Sequence, residues 1–136
     1  MLRRRHFNWT LLALASWGFV TAVNAATVPR ILVVGDSLSA EYGLARGVGW
    51  VALLQKKLAQ EKPDAQVINA SISGETTSGG RSRMATLLQK HQPSHVIIEL
   101  GGNDALRGLP LNMTQDNLQT MTRQAQTAGA QEIGRA

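Results

Sequence analysis

Three short apolar runs divide this chain, and a polar motif directly follows each of them. The runs occupy residues 31–34, 67–68 and 96–100. Their β-branched residues are typical of strands that are buried on both faces of a parallel sheet. Stretches with helical spacing of apolar residues lie between them. The alternation predicts a β-α-β-α-β-α order and therefore a parallel sheet with right-handed crossovers.

Three helices are predicted between and after these strands. The third has Thr114 or Asp116 as its N-cap, runs to about Ala128 and stops at Gly129. Residues 129–136 are expected to begin a fourth strand, although the sequence after Gln131 is not an apolar run. The first helix is marked by Val51, Leu54 and Leu58 and closed by Pro63, and the second is marked by Met84, Leu87 and Leu88 and ends before Pro93.

The polar motifs are GDSLS at residues 35–39, SGET at residues 73–76 and GGND at residues 101–104. Because each follows a strand of the same parallel sheet, all three are expected at its carboxyl edge. Open α/β folds bind their ligands at that edge. Residues almost 70 positions apart are therefore predicted to share one crevice.

Each motif offers one group suited to acyl transfer. Ser37, predicted at a strand-to-helix turn, has a hydroxyl that becomes a useful nucleophile once a base removes its proton. Gly74 lacks a side chain, so its N–H can approach a substrate oxygen closely. Asn103 carries an NH₂ group that can donate to a developing oxyanion. Taken singly, each motif is equally compatible with an ordinary turn, in which Asp104 only stabilises the backbone.

The first 25 residues have the pattern of a secretory signal peptide. Arg3, Arg4 and Arg5 form a basic head, residues 11–20 are mostly apolar, and small residues precede a cleavage point after Ala25. The apolar stretch is interrupted and short for a membrane anchor, which needs about 20 residues. We therefore expect a domain of residues 26–136 in the periplasm or the medium, with no membrane span after cleavage.

Charge and cysteine content exclude several classes of function. Removal of the three leader arginines leaves 11 of the 14 Lys and Arg against 9 Asp and Glu, a net charge of +2. No basic run remains that would indicate nucleic-acid binding. The chain has no cysteine, which rules out a disulfide framework, a thiolate nucleophile and a Cys zinc site.

Together and in this order, GDSLS, residues 69–76 and residues 99–104 resemble the SGNH, or GDSL, hydrolases, over the whole mature chain. The resemblance implies a flavodoxin-like three-layer α/β sandwich with a parallel sheet. It implies Ser37 as nucleophile, with the N–H groups of Ser37 and Gly74 and the Asn103 side chain as oxyanion hole. It further implies an acyl-serine intermediate, no metal or organic cofactor, and a small acyl ester or thioester as substrate, such as acyl-CoA, a lysophospholipid or an aryl ester. We also expect the protein to be a monomer.

One family feature has no counterpart in this sequence. SGNH hydrolases carry a later DxxH segment that supplies the acid and the general base. The surroundings of His91 and His95 here are typical of structural or solvent-facing residues rather than of catalytic ones. We therefore expect a fold that is incomplete at its C-terminus, an uncovered sheet edge if the fourth strand is lost, and low turnover. The alternatives are a sugar-ester deacetylase of the same fold and a non-catalytic acyl-binding domain or pseudoenzyme.

Substrate contacts are predicted after the first and third strands. Asp36 is one candidate, and Leu106 and Leu109 are two more, in a segment that also contains Leu111. These leucines form either an apolar lip over an acyl chain or part of the packing onto the third helix.

Overall fold

The computed structural model describes residues 28–135. The predicted signal peptide, residues 1–25, lies outside this range. Among the described residues, no helix is long and apolar enough to cross a membrane.

A four-stranded sheet with the order β2-β1-β3-β4 organises the described chain, and all its strand pairs are parallel. The predicted α/β class and parallel sheet are confirmed. The elements are β1 (Arg30–Gly35), α1 (Trp50–Glu61), β2 (Gln66–Asn69), α2 (Thr77–His91), β3 (His95–Glu99), α3 (Gly102–Leu106), α4 (Leu111–Thr127) and β4 (Gln131–Arg135).

The main core lies between the sheet and the pair α2 and α4. Side chains alternate along a strand, so every second residue of β1 and β3 faces these helices. The core contains Leu32, Val34, Val96, Ile98, Met84 and Met121, each at most 1% exposed. Ile31 and Val33 point to the opposite face and are buried too, which explains why β1 is an unbroken apolar run.

The third predicted helix, which corresponds to α4, does not begin where the sequence suggested. Neither Thr114 nor Asp116 caps it; α4 begins at Leu111, with Pro110 as N-cap. The N–H groups of Met113 and Thr114 both donate to the Pro110 carbonyl, at 3.0 and 3.2 Å. The ring of Pro110 fixes its φ near the observed −58°, and the helix begins after it without a side-chain cap. The five-residue helix α3 was not predicted, since it is too short to show a periodic pattern.

The fourth strand forms despite its polar sequence. β4 pairs in parallel with β3, with a register shift between Val96 and Ile98. Backbone N–H and C=O groups make this ladder, so pairing does not need an apolar run. The expected fourth strand is therefore confirmed, and the edge of β3 is covered by it.

Candidate active site

One side chain joins the three polar motifs. The amide Nδ2 of Asn103, on α3, donates to Asp36 Oδ2 and to the Glu75 carbonyl, each at 3.0 Å. Asp36 precedes Ser37 and Glu75 follows Gly74. The predicted convergence of the motifs at the carboxyl edge is therefore confirmed, and Asn103 itself makes the connection.

The nucleophile candidate lies in a tight turn rather than at a helix start. Ser37 is half-buried, and its carbonyl accepts from Tyr42 N at 3.1 Å. Helix α1 begins only at Trp50, so the predicted strand-to-helix turn is wrong, and a loop of residues 36–49 intervenes.

The buried side chain of Asp36 stabilises this turn. It is 4% exposed, and its Oδ1 accepts from Leu38 N at 3.0 Å, a local turn stabilised by the aspartate itself. Its other oxygen is held by Asn103. The position proposed for substrate contact is thus occupied by a carboxylate that already has partners on both oxygens.

Two backbone donors beside this turn have no acceptor in the part of the chain that the structure describes. Within residues 28–135, neither the N–H of Ser37 nor that of Gly74 makes a backbone or side-chain hydrogen bond, and the Ser37 hydroxyl has no partner either. Gly74 has φ +77°, a left-handed conformation that strongly favours glycine. Unsatisfied N–H groups at a protein surface are free to bind an incoming oxygen.

The amide of Asn103 differs from the expectation of a free donor. A primary amide has two N–H hydrogens, and both are directed at protein acceptors, Asp36 Oδ2 and the Glu75 carbonyl. For Asn103 to stabilise an oxyanion, one of these two bonds has to be shared or lengthened.

Asp104 holds the framework behind the motifs. It is 1% exposed and accepts from the Thr77 N–H at 2.8 Å, from the Thr77 hydroxyl, and from the Thr114 hydroxyl at 3.3 Å. Asn117 of α4 donates to the same Thr77 hydroxyl at 3.1 Å. One buried carboxylate therefore ties the start of α2 to α3 and α4, a wider role than the turn stabilisation predicted for it.

Two arginines brace the loop after β2. Arg83 Nε pairs with Glu75 Oε2 at 2.8 Å, and its Nη1 donates to the Ala70 carbonyl at 2.6 Å. Arg107 Nη2 donates to the Gly74 carbonyl at 2.8 Å. Sequence reasoning missed both arginines, because these contacts join residues that no local pattern relates.

A second buried network anchors the loop after β1. The hydroxyl of Ser39 donates to Glu99 Oε2 at 2.8 Å and accepts from Trp50 Nε1 at 3.1 Å. Ser39 is 1% exposed. The loop that carries Ser37 is thus attached to β3 and to the first residue of α1.

The outer part of the same loop closes on Glu41. Its carboxylate accepts from Gly47 N and Gly49 N, at 3.0 and 2.9 Å to Oε1. The bond from Gly47, followed by that from Gly49, lowers the pKa of Glu41 because both stabilise the charged form. A Cβ at Gly49 would stand 2.6 Å from Glu41 Cγ, so this closure requires glycine there.

The two described histidines lie away from Ser37. His95 begins β3 and pairs with Ile31, whereas Ser37 follows the far end of β1, where Gly35 pairs with Glu99. At about 3.3 Å per residue, the strand length separates the two edges by more than ~10 Å. His91 ends α2, which starts at the carboxyl edge and runs away from it. Neither histidine reaches the Ser37 hydroxyl, and His95 Nδ1 instead contacts Ser94 Oγ at 2.9 Å.

The leucines after β3 are open to solvent. Leu106 is 86% and Leu111 82% exposed, so for these two leucines the alternative of packing onto the following helix is wrong. Leu109 is half-buried. The other two loops of this edge also expose large apolar side chains, namely Leu38, Tyr42 and Ile72. All three loops at the carboxyl edge therefore expose apolar side chains.

A separate groove of about 680 Å³ lies between the C-terminal halves of α2 and α4. Its lining includes Leu88, Pro93 and Arg123, with no serine, histidine or carboxylate. It therefore offers no side chain that could act as the base in acyl transfer, and it is distinct from the site around Ser37.

Comparison with known proteins agrees with this geometry. The sequence model of the GDSL-like lipase/acylhydrolase family matches residues 33–134, and the chain belongs to that family. The chain is 48% identical over 123 residues to esterase TesA of Pseudomonas aeruginosa, an alignment that covers 90% of this chain and 61% of the relative. Over 109 residues it is 40% identical to thioesterase 1/protease 1/lysophospholipase L1 of Escherichia coli K12, with 80% and 51% covered.

The solved structures give the same result. A crystal structure of TesA is 52% identical, with a TM-score of 0.74 over 76% of this chain and 57% of that one. The predicted SGNH-hydrolase fold is therefore confirmed. The chain spans about half to three fifths of the length of these relatives.

Proposed function

We propose that this protein is a serine hydrolase that cleaves acyl esters or thioesters through an acyl group on Ser37. One observation carries the proposal: Asn103 bonds to the neighbours of both Ser37 and Gly74, which places a free hydroxyl and two free N–H groups at one edge of the sheet. The names of the similar proteins, an esterase and a thioesterase/lysophospholipase, support the same class of substrate.

In the proposed reaction the Ser37 hydroxyl oxygen attacks the acyl carbonyl and its proton passes to a base. Negative charge develops on the carbonyl oxygen, where the N–H groups of Ser37 and Gly74 stabilise it, with Asn103 as third donor. The leaving alcohol or thiol departs with a proton. Water then attacks the acyl-serine and releases the acid.

The base is the missing component within the described residues. Neither described histidine reaches Ser37, so a base has to come from outside residues 28–135. Loss of the base costs serine hydrolases roughly 10⁴-fold or more in rate. We accordingly expect low turnover where the described residues act without an added base.

Substrate class and location extend the same proposal. The exposed Leu38, Leu106 and Leu111 suit an apolar acyl chain, since burying an apolar side chain against it is favourable by about 25 cal/mol per Å². The basic head and small-residue cleavage pattern of residues 1–25 support export to the periplasm or the medium.

The test supplies the base from solution. Hydrolysis of 4-nitrophenyl butanoate is followed with and without imidazole for the unmodified chain and for Ser37→Ala. We expect a small Ser37-dependent rate without imidazole and a clear increase with it, because imidazole accepts the hydroxyl proton. The Ser37→Ala variant measures the hydrolysis of the ester by imidazole that does not depend on Ser37.

Two outcomes would count against the proposal in different ways. Equal rates for both proteins at every imidazole concentration would show a binding domain rather than a hydrolase. Fast Ser37-dependent turnover without imidazole would support the hydrolase but contradict the expected low turnover.

A further inference from the structure

The two arginines at the loop after β2 have opposite electrostatic surroundings. Arg83 forms a salt bridge with Glu75, and their side chains are only 22% and 13% exposed. Arg107 forms no salt bridge with any carboxylate of residues 28–131, the part of the chain whose side chains are described, and its own side chain is exposed. The first positive charge is compensated by its partner and the second is not.

Arg107 is nevertheless held in place beside the proposed oxyanion hole. Its Nη2 is 2.8 Å from the Gly74 carbonyl oxygen and 3.8 Å from the position that a Cβ of Gly74 would take. A guanidinium has five N–H donors, so the ones that Gly74 leaves unused remain available to a ligand. A charged fork with one fixed arm loses less freedom on binding than a free side chain does.

The nearby carboxylates do not neutralise this charge at the surface. Asp36 and Asp104 are 4% and 1% exposed, and each accepts hydrogen bonds from named protein donors. Glu75 is engaged by Arg83. The accessible charge next to Gly74 is therefore positive, and exposed apolar side chains surround it.

We propose that Arg107 is a specificity-determining residue that favours esters with an anionic group, such as a carboxylate or a phosphate, in the leaving group. This inference rests on the proposed function, since it assumes that the ester carbonyl binds at Gly74. The apolar acyl part contacts the exposed leucines, and the anionic part contacts the unused N–H donors of Arg107.

The test compares two esters that differ in one charge. Values of kcat/KM are measured in imidazole for 4-nitrophenyl butanoate and 3-carboxy-4-nitrophenyl butanoate. In Arg107→Gln the ratio of anionic to neutral ester falls about threefold, the size of an exposed ion pair. Arg107→Lys retains part of the preference, and high salt reduces the preference of the unmodified chain by screening. Arg107 also donates to the Gly74 carbonyl, so its replacement should slow the cleavage of both esters. The ratio of the two kcat/KM values is therefore the quantity that tests the inference.

Arg46→Gln is the matched control, because Arg46 is an exposed arginine of the loop after β1 at the same edge. An unchanged ratio in Arg107→Gln, or an equal fall in Arg46→Gln, overturns the inference. If neither ester is turned over, the proposed function fails. A binding experiment then tests separately whether Arg107 favours an anionic ligand. In a calorimetric titration the chain should bind hexyl phosphate more tightly than hexanol, and Arg107→Gln should lose that preference; equal preference in both proteins overturns it.

Discussion

The polar groups at the carboxyl edge form two layers, a rear layer of Asp36 and Asp104 and a front layer of Ser37 and Gly74. The two layers differ in whether their groups have hydrogen-bond partners among the described residues. In the rear layer, Asp104 is buried and accepts from Thr77 and Thr114, and Asp36 is buried with a donor on each oxygen. In the front layer, the N–H groups of Ser37 and Gly74 have no acceptor among residues 28–135. The layers are adjacent in sequence, and Asn103 is bonded to both motif loops.

Because of this difference, the rear layer contributes to the stability of the protein and the front layer to its reactivity. A buried polar group without a partner costs about 1–3 kcal/mol, so the rear layer has to be satisfied for the loops to hold their shape. An open N–H at the surface is hydrated and costs little. Substitutions in the rear layer should therefore lower the free energy of unfolding, whereas those in the front layer should change only the reactivity of the protein.

The largest effect is expected from Asp104→Ala. The substitution leaves the Thr77 N–H without its acceptor and removes the link among α2, α3 and α4. We expect a loss of roughly 3 kcal/mol in the free energy of unfolding. Urea denaturation followed by circular dichroism measures it.

Asp116→Asn is the control for that change, since Asp116 is an exposed carboxylate on α4. Its effect should stay within about 0.5 kcal/mol. Equal losses in both variants would mean that the buried network does not stabilise the loops.

A smaller effect is expected from Asn103→Asp. It would place a carboxylate against Asp36 Oδ2 and the Glu75 carbonyl, two groups that can only accept hydrogen bonds. We expect a loss of about 2 kcal/mol at neutral pH, from lost bonds and like-charge repulsion. Asn103→Ala loses the bonds without adding the charge and should cost about 1 kcal/mol. The same unfolding experiment would refute the bridging role if Asn103→Asp were as stable as the unmodified protein.

Ser37→Ala should leave stability nearly unchanged. The Ser37 hydroxyl has no hydrogen-bond partner within residues 28–135, so its removal breaks no bond there. The change in unfolding free energy should be under about 0.5 kcal/mol, while the Ser37-dependent ester cleavage disappears. A loss comparable to that of Asn103→Asp would place Ser37 in the stabilising layer and not in the reactive one.

The smallest effect concerns acid and the loop of residues 36–49. The pKa of Glu41 is lowered by the bonds from Gly47 and Gly49, so its contribution is complete above the ordinary pKa of a glutamate. It is lost as the pH falls through the lower pKa of the folded state. Thermal unfolding from neutral to acidic pH should show a smaller acid-induced decrease in Glu41→Gln than in the unmodified chain. Parallel pH profiles would show that this closure does not contribute.

Most of the fold could be predicted because local patterns report it. Buried strands such as β1 are apolar runs, and α1 and α2 follow their apolar spacing and their prolines. The start of α4 was mispredicted because Thr114, a good cap by type, donates to Asp104 instead. Helix α3 has too few residues for any periodic signal.

The site was predictable in its members but not in its connections. Ser37, Gly74 and Asn103 stood out because each follows a strand. The two Asn103 bonds, the Ser39–Glu99 bond and the Arg107–Gly74 bond join residues that are 28 to 67 positions apart. The motifs predict that these loops meet, but the particular hydrogen bonds depend on how the loops fold against one another.

The most direct test of the central claim is to locate the acyl group. The chain is incubated with 4-nitrophenyl butanoate and imidazole, digested, and its peptides are analysed by mass spectrometry. The account predicts a butanoyl group on Ser37, absent from Ser37→Ala and from unfolded protein. An acyl group found on Ser39, Ser71 or Ser73 at the same level, or none on Ser37, would contradict it.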